Sequence, residues 1–443
     1  MNKSALLGWG LGSFTTSVLI NTVGLLQLRF MVDSLGIGIG VAGTLVALSK
    51  IYDAATDPVM GMICDQTVSR WGRYRPYLLA GGPLAALSLV LLFNVPAAAV
   101  GRGLVAYMAL MLLLFSTAYT MFRIPYLAMG AELTRGFDQR SQLMTFSVYG
   151  SSLGGLFATS AAPFLLSRIG SDRAGHGTVA CLLSVLIAVG GVACAALTRA
   201  PTSPTRSRPH ISLRDRIAIL RKSRPFLLLI GFKLMMFSGL ALHATVIPFY
   251  TRHVLRATDS TLGMYFLCHT LAMMSSQFLW VRLARRLGRR NALILAALCE
   301  TFLMLSWIAV PTSHPMPWVL LLGAAEGTAS GGLFFGLYTV LGDVMTHERE
   351  RGATEREGVF AGIFVMVEKI TSAIGTAVFS GILAAVGYVS DTDSGAAAQA
   401  PAVAASIIVA LAAIPAAAAI LACVVFRHYE LSSDGQAARI LAA

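Results

Sequence analysis

The sequence predicts an all-α integral membrane protein with twelve transmembrane helices in two pseudo-symmetric six-helix bundles. Three observations support this fold class. The 443 residues are 56% hydrophobic and only 12% charged, whereas a soluble domain carries about 25% charged residues. Apolar runs of about 18 or more residues, long enough to cross a bilayer as helices, fill nearly the whole chain. A polar connector near the middle divides these runs into two sets of six.

The twelve predicted spans follow one another with short polar loops between them. The first, 5–32, is too long for the apolar core of a signal peptide and has no small-residue cleavage site, so we interpret it as a membrane helix. The others are predicted at 39–65, 77–97, 103–129, 142–167, 178–198, 226–250, 260–283, 291–310, 316–344, 358–387 and 402–426.

The connector sets the predicted domain boundaries. We expect an N-terminal bundle at 1–198, a cytoplasmic connector at 199–225, a C-terminal bundle at 226–427 and a cytoplasmic tail at 428–443. The connector begins with a Pro- and Ser-containing stretch that is typical of a linker. Its later part, 211–222, fits two interpretations: a short basic helix on the inner leaflet, or a plain solvated linker.

Basic residues are concentrated in alternate loops. With the N-terminus inside, the cytoplasmic loops hold Arg70, Arg73, Arg75, Arg135, Arg140, Arg282, Arg285, Arg286, Arg289, Arg290, Arg349, Arg351 and Arg356, and the connector adds eight more basic residues. The external loops hold Arg102, Arg168, Arg173, Arg252 and Arg256. This asymmetry predicts a multi-pass protein of the cell membrane (the inner membrane in a bacterium) with both termini cytoplasmic. The net charge of +13 then reflects topology, and we expect contact with lipid, no nucleic-acid partner and a monomer.

The predicted second span carries charged side chains in its middle. Helical spacing places Lys50, Asp53 and Asp57 on one face, with Thr56 beside Asp53. Each unpaired charge costs about 2.5–3.5 kcal/mol at the centre of a bilayer. Two hypotheses are open: an ion or proton pathway, or a salt bridge of Lys50 with Asp53 that holds two helices together. One lysine cannot neutralise two aspartates, which favours the pathway.

The two halves of the chain have related loops. Gly61-x3-Asp65 and then Gly72-Arg73-x-Arg75 follow the second span, and the basic stretch 282–290 follows the eighth. Related loops at equivalent positions of the two halves are typical of transporters built from internal repeats. Matches to enzyme motifs at 150–154 (G-x-S-x-G) and 38–43 (G-x-G-x-x-G) lack the strands that such motifs need, so we expect no enzyme and no cofactor beyond a coupling ion.

Several of these motifs resemble a known family. Twelve spans, the long middle loop and the Gly-x3-Asp…Gly-Arg-x-Arg loop are similar to the major facilitator superfamily. More narrowly, the stretches 53–61 and 70–76 resemble the glycoside–pentoside–hexuronide:cation symporters, the melibiose-carrier family. Further matches lie at 124–140, at 342–343 and at 356–388, so the resemblance covers nearly the whole chain.

The resemblance implies a cation site between two span-2 aspartates and a span-4 hydroxyl. The corresponding residues here are Asp53, Asp57 and Thr120, and the span-11 lysine of the family is Lys369. Thr56 stands where the melibiose carrier has asparagine, keeps an oxygen there, and is expected to bind the cation with Asp53, Asp57 and Thr120. The implied coupling ion is Na⁺, with H⁺ and Li⁺ as alternatives, because carboxylates and hydroxyls supply the oxygens that hard cations prefer.

The predicted solute site departs from that of the melibiose carrier. Its two sugar-binding aspartates correspond to Ser17 and Arg123, and its stacking tryptophan corresponds to Leu127. A guanidinium suits a carboxylate, sulfonate or phosphate. Arg123 therefore fits two interpretations: it binds an anionic solute, or it pairs with Asp53 or Asp57. The residues predicted to contact solute are Ser17, Asn21, Arg123, Tyr126, Tyr149 and Lys369.

The predicted function is cation-coupled symport of a sugar or glycoside-type solute, anionic in character, by alternating access. The alternatives are transport of an amphiphile such as a lysophospholipid, and a non-transporting membrane sensor or scaffold. Arg–carboxylate contacts near the cytoplasmic loops are expected to control the conformational change, and the residues assigned to them are Asp65, Gly72, Arg73, Arg75, Arg140 and Asp343.

Other polar residues lie within the predicted spans. Arg29 and Asp33, four residues apart, are expected to pair with each other. Each of a further set is a pathway residue, a buried hydrogen-bonding residue or an interfacial residue: Lys233, His243, His269, Glu300, Glu326 and Glu368.

Overall fold

The computed structural model describes residues 3–133, 137–198, 223–350, 357–389 and 400–429. All regular secondary structure in these ranges is helical. The first half of the chain forms α1 (Lys3–Arg29), α2 (Ile39–Gln66), α3 (Arg75–Phe93), α4 (Gly101–Leu133), α5 (Phe137–Leu156), α6 (Ala162–Ile169) and α7 (Arg173–Leu197). The second half forms α8 (Arg224–Phe249), α9 (Asp259–Ser275), α10 (Gln277–Leu287), α11 (Arg289–Ser306), α12 (Pro315–Glu350), α13 (Glu357–Ala385), α14 (Pro401–Ile408) and α15 (Ile414–Phe426).

Short irregular turns extend or join several helices. Phe30–Ser34 continues α1 as a π-helical turn, and Tyr250–Val254 does the same for α8. Phe157–Ala161 joins α5 to α6, and Val409–Ala413 joins α14 to α15. These joints keep each helical pair running as one long segment.

The predicted all-α membrane fold is confirmed. In the described part of the chain, nine helical segments are long and apolar enough to cross a membrane. The other three predicted spans coincide with α2, with α5–α6 and with α9–α10. They differ for local reasons. The α2 helix contains Lys50, Asp53 and Asp57, and the segment α5–α6 is rich in Gly, Ser and Thr. A break at Ser276 leaves α9 and α10 with 17 and 11 residues.

The helices group into two compact units. The first contains residues 1–206, 251–267 and 380–403. Within it α1 packs on α5 and α7, α3 packs on α4 and α7, and α2 packs on α4. The α1–α5 contact needs glycine, because a Cβ on Gly150 would collide with the backbone of Gly10. Close approach through small residues is how membrane helices gain packing without a hydrophobic driving force.

The second unit contains residues 207–250, 268–379 and 404–443. There α8 packs on α15, and α11 packs on α12 and α15. Its core is rich in buried aromatic side chains, among them Phe226, Phe232, Phe360, Phe364 and Phe426. The predicted boundary between the bundles falls in the connector, of which 199–222 lie outside the described residues, so the predicted domain limits stay predictions.

Candidate cation and solute site

The candidate cation site is built by two helices that pack together, α2 and α4. Asp53 and Asp57 stand one turn apart on α2, and Thr120 faces them from α4. The Thr120 hydroxyl lies 2.8 Å from Oδ1 of Asp53 and 3.1 Å from Oδ1 of Asp57. The structure thus brings together the three residues that the family resemblance implied.

The geometry makes these three oxygens converge. A hydroxyl carries one proton and can donate fully to one acceptor at a time, yet Thr120 Oγ1 lies within hydrogen-bonding distance of both carboxylates. Two carboxylates held this close repel each other unless a positive charge lies between or beside them. Convergent oxygens of this kind are the donor set that a hard cation prefers.

A proline in α2 leaves one backbone carbonyl oxygen of this helical turn without its usual hydrogen bond. Pro58 lies inside α2 directly after Asp57, and it lacks the backbone N–H that would bond the carbonyl of Ala54. That carbonyl, between the two aspartates in sequence, therefore loses its usual helical donor. The Thr56 hydroxyl donates to the backbone carbonyl of Asp53, 3.1 Å away, so its predicted part in cation binding stays a prediction.

Neighbouring polar contacts fix the register of α2 against α4. The Tyr52 and Thr117 hydroxyls lie 2.9 Å apart, and Ser116 donates to the carbonyl of Ser49 at 3.4 Å. The Tyr52–Thr117 pair was not predicted from the sequence, although both residues adjoin the candidate site. Asp53 itself is buried, with 4% of its surface exposed, and a carboxylate buried this deeply needs a compensating charge.

Arg123 belongs to the same polar region. It follows Thr120 by three residues on α4, and its Cζ lies 5.4 Å from the ring centroid of Tyr119. The buried Tyr119 interacts electrostatically with Arg123 and with both aspartates. A guanidinium is planar and carries five N–H donors, which suits it to an anion. Both interpretations of Arg123 are compatible with this position.

The other predicted solute contacts lie in different environments. Ser17 donates to the carbonyl of Ser151 at 2.7 Å, and the Asn21 side chain donates to the carbonyl of Ser17 at 2.8 Å. Ser17 therefore joins α1 to α5, and Asn21 bonds within α1. Tyr149 on α5 is exposed, and Lys369 on α13 is half-buried in the second unit. Their contacts with a solute stay predictions.

Tyr126 lies inside the helix packing. It is 2% exposed, its ring stacks on Trp9 with centroids 4.1 Å apart, and its hydroxyl donates to the Trp9 carbonyl at 2.8 Å. The same hydroxyl lies 2.5 Å from Ser13 Oγ. This burial favours a packing role over the predicted contact with solute, because both hydrogen-bonding directions of the hydroxyl are already used.

The predicted conformational residues form two ion pairs at helix ends. Arg73 Nη1 lies 3.5 Å from Oδ1 of Asp65, and Arg289 pairs with Asp343. Gly72 has φ +90°, a left-handed conformation that glycine adopts without strain. Arg75 donates instead to the backbone carbonyl of Ala195 at 2.9 Å, where a carboxylate contact was expected. The side chain of Arg140 lies outside the described residues.

A second charged cluster lies at the C-terminal end of α1. Arg29 Nε is 3.7 Å from Oδ2 of Asp33, which confirms their predicted pairing. The structure adds a bidentate contact from Arg29 to Asp259 and a hydrogen bond from Tyr388 to Asp33 at 2.7 Å. Burial raises the pKa of Asp259, but the guanidiniums of Arg29 and Arg252 and a hydrogen bond from Ser171 together outweigh burial and hold that pKa below its usual range. Sequence spacing gave no sign of this long-range pair.

Comparisons with known proteins agree with this architecture. Residues 8–433 match the family model described as MFS/sugar transport protein. The uncharacterized symporter YnaJ of Bacillus subtilis (strain 168) is 27% identical over 96% of this chain and 91% of its own length. The glucuronide carrier protein homolog of Escherichia coli (strain K12) is 24% identical over 96% of this chain and 92% of its own.

Two further similarities concern another transporter and a solved structure. The isoprimeverose transporter of Lactiplantibacillus pentosus is 25% identical over 86% of this chain and 80% of its own length. A crystal structure of the nucleoside transporter NupG, solved as a point mutant, superposes with a TM-score of 0.66 at 15% identity, covering 96% of this chain and 99% of that one. This chain is therefore a multi-pass membrane transporter rather than an enzyme, and it belongs to the MFS/sugar transport protein family.

Proposed function

We propose that this protein is a cation-coupled symporter of sugar or glycoside-type solutes that works by alternating access. The observation that carries the proposal is the convergence of Asp53, Asp57 and Thr120 on one small volume. A group of charged side chains within membrane helices supports a functional site, since each buried charge is costly in a bilayer. The similar proteins are named as a symporter, a glucuronide carrier homolog and an isoprimeverose transporter, which supports the same class.

Na⁺ is the coupling ion that this geometry favours. A proton needs one carboxylate oxygen, whereas Na⁺ needs several oxygens at short range, as hard cations do. Thr120 is in contact with both carboxylates at once, and the freed carbonyl of Ala54 lies in the same turn. This donor set exceeds what proton binding requires. Coupling to H⁺ is the alternative that the experiment below separates.

An anionic solute is the class that Arg123 favours. Its guanidinium lies one turn along α4 from Thr120, beside the Tyr119 ring, and it offers a planar fork for a carboxylate. The glucuronide carrier homolog is among the similar proteins, and a glucuronide bears one carboxylate. In this proposal the solute carboxylate contacts Arg123 while the cation neutralises the two aspartates, so solute and cation bind side by side.

The test is uptake into proteoliposomes that contain the purified protein. We expect an inward Na⁺ gradient to drive accumulation of radiolabelled methyl β-glucuronide, with methyl β-glucoside accumulated far less. A proton gradient without Na⁺ should give background uptake. Accumulation that follows the proton gradient alone would replace Na⁺ by H⁺, and equal accumulation of both glycosides would overturn the anionic assignment.

A further inference from the structure

The second unit contains a buried cluster of acidic and imidazole groups that the proposed cation site does not use. His243 on α8, Glu300 on α11 and Glu326 on α12 are 5%, 2% and 2% exposed. Trp307 donates to Glu326 from the turn after α11, and Ser330 donates to Glu300 from α12. Four separate structural elements therefore bring polar groups together inside an apolar bundle.

The hydrogen bonds of His243 fix where one proton must be. Its Nδ1 lies 2.8 Å from the carbonyl oxygen of Leu411, and a carbonyl only accepts, so Nδ1 carries hydrogen. Nε2 lies 3.5 Å from Oε1 of Glu326, and that oxygen already accepts from the Trp307 indole at 2.7 Å. An unprotonated Nε2 beside a carboxylate would set two lone pairs against each other. In addition to the hydrogen on Nδ1, one proton is therefore required between Nε2 of His243 and the carboxyl group of Glu326.

Glu300 requires a second proton for a different reason. Its Oε1 accepts from Ser330 at 3.0 Å, while Oε2 is buried and has no hydrogen-bond partner among the described residues. Glu326 and Ser330 are the described groups that act on Glu300 electrostatically or by hydrogen bonding. One is a like charge and the other is neutral, so neither compensates a carboxylate there.

The other titratable groups near Glu300 do not remove its requirement for a proton. Half-buried His269 on α9 interacts with Glu326 and His243, and Cys299 precedes Glu300 on α11. The segment between α14 and α15 contributes the backbone carbonyl of Leu411. The cluster thus contains two carboxyl groups, and the His243 imidazole lies in ion-pair range of Glu326 rather than of Glu300.

We propose that His243, Glu326 and Glu300 form a proton-binding site, with one proton held between His243 and Glu326 and a second on Glu300. The ligand is the proton itself, and the site lies in the other unit from Asp53 and Asp57. Its use in coupling rests on the proposed symport, because a transporter could then move protons together with, or counter to, its cation. The existence of the proton site does not depend on that function.

Infrared difference spectroscopy of the purified full-length protein tests this inference without any solute. A protonated carboxyl has a C=O stretch that a carboxylate lacks, and exchange into D₂O shifts it. We expect wild type at neutral pH to show this absorption and Glu300→Gln to lose the component that Glu300 contributes. The matched control is Glu368→Gln, since Glu368 is one-third exposed and paired with Lys233 at 2.8 Å, and it should keep the absorption. Asp53→Asn should keep it as well.

A second variant covers the case in which Glu300→Gln does not fold. Ser330→Ala removes the hydrogen bond to Glu300, so the same absorption should remain but shift in frequency. An absorption unchanged in both variants, or absent in wild type at neutral pH, overturns the proton site. Failure of Na⁺-driven uptake leaves these spectra unaffected, so the two proposals fail separately.

Discussion

Asp53 with Asp57, and Glu300 with Glu326, are two pairs of carboxyl groups whose surroundings differ in kind. Asp53 and Asp57 converge on one hydroxyl, that of Thr120, which lies within hydrogen-bonding distance of one oxygen of each group. Glu326 and Glu300 each have their own donor, Trp307 and Ser330 respectively, and they are more deeply buried than Asp57.

This difference indicates which ligand each pair of carboxyl groups suits. A shared, half-open oxygen cluster suits an ion that needs several ligands. Separate, tightly enclosed carboxyls with an adjacent imidazole suit protons, which need one oxygen each. On this account the first pair exchanges a metal cation with water, and the second pair stays protonated at rest.

The largest expected effect comes from neutralising the first pair. Asp53→Asn or Asp57→Asn should abolish Na⁺-driven accumulation in proteoliposomes, because either change removes half of the negative charge that holds the ion. The protein should remain folded and inserted, as gel filtration and circular dichroism would show. Full accumulation in either variant would place the cation site elsewhere in the chain.

Asp259 is a buried carboxylate with a structural role, so it serves as a reference for the two carboxyl pairs that are proposed to bind Na⁺ and protons. Asp259→Asn leaves Arg29 partly unpaired, and removing one partner of a buried ion pair costs about 3–5 kcal/mol. Because Arg29 retains Asp33 at 3.7 Å, the loss should be at the lower end of that range. Thermal unfolding measures it, and Na⁺ binding should be unchanged.

The loss of folding stability in Asp259→Asn should depend on pH in one direction. The pKa of Asp259 is lowered in the folded protein, so its stabilisation is present above the unfolded pKa and disappears as pH falls through the folded pKa. The difference in melting temperature between wild type and Asp259→Asn should therefore be largest near neutral pH and shrink in acid. A difference that grows in acid would contradict the assignment.

Arg123 tests whether the solute bears the negative charge. Arg123→Ala should weaken glucuronide binding by about 2–5 kcal/mol, the cost of removing one member of a buried charge pair. Arg123→Lys should restore part of it, because a point charge cannot reproduce the bidentate fork. Na⁺ binding without solute should change little. The contrary outcome has two parts: Na⁺ affinity changes in Arg123→Ala, and the double variant Arg123→Ala/Asp53→Asn loses less binding free energy than the two single variants added together. That outcome would mean that Arg123 pairs with an aspartate.

The smallest expected effect separates two hydroxyls on α4. Thr120→Val removes the group that contacts both carboxylates and should lower Na⁺ affinity by about 1.5–3 kcal/mol, the range for a hydrogen bond to a charged group. Thr117→Val is the matched control, since Thr117 contacts Tyr52 instead. Equal losses in the two variants would mean that the hydroxyls act through helix packing.

Local features of the chain were predictable, and long-range contacts were not. Apolar runs predicted the helices because the membrane itself imposes their length. Arg29 and Asp33 stand four residues apart on one helix face, so their pairing followed from spacing. Thr120 was assigned only through the family resemblance, since no spacing rule sets the register of α2 against α4.

The remaining contacts depend on how distant helices pack. Arg29 and Asp259 are 230 residues apart, and the cluster of His243, Glu300 and Glu326 assembles from three helices. Arg29, His243, Glu300 and Glu326 are each recognisable as a polar residue within an apolar span, but the sequence cannot show which residues they contact. Tyr126 illustrates the converse, since an aromatic residue in a polar motif turned out to be packed against Trp9.

The most direct test of the central claim is Na⁺ binding to the purified protein in the absence of solute, measured by equilibrium binding of radioactive Na⁺. The account predicts saturable binding to wild type, its loss in Asp53→Asn and in Asp57→Asn, and its retention in Glu326→Gln and Glu368→Gln. Saturable binding that persists in Asp57→Asn, or that disappears in Glu326→Gln while the protein stays folded, would contradict the assignment of the cation to the α2–α4 site.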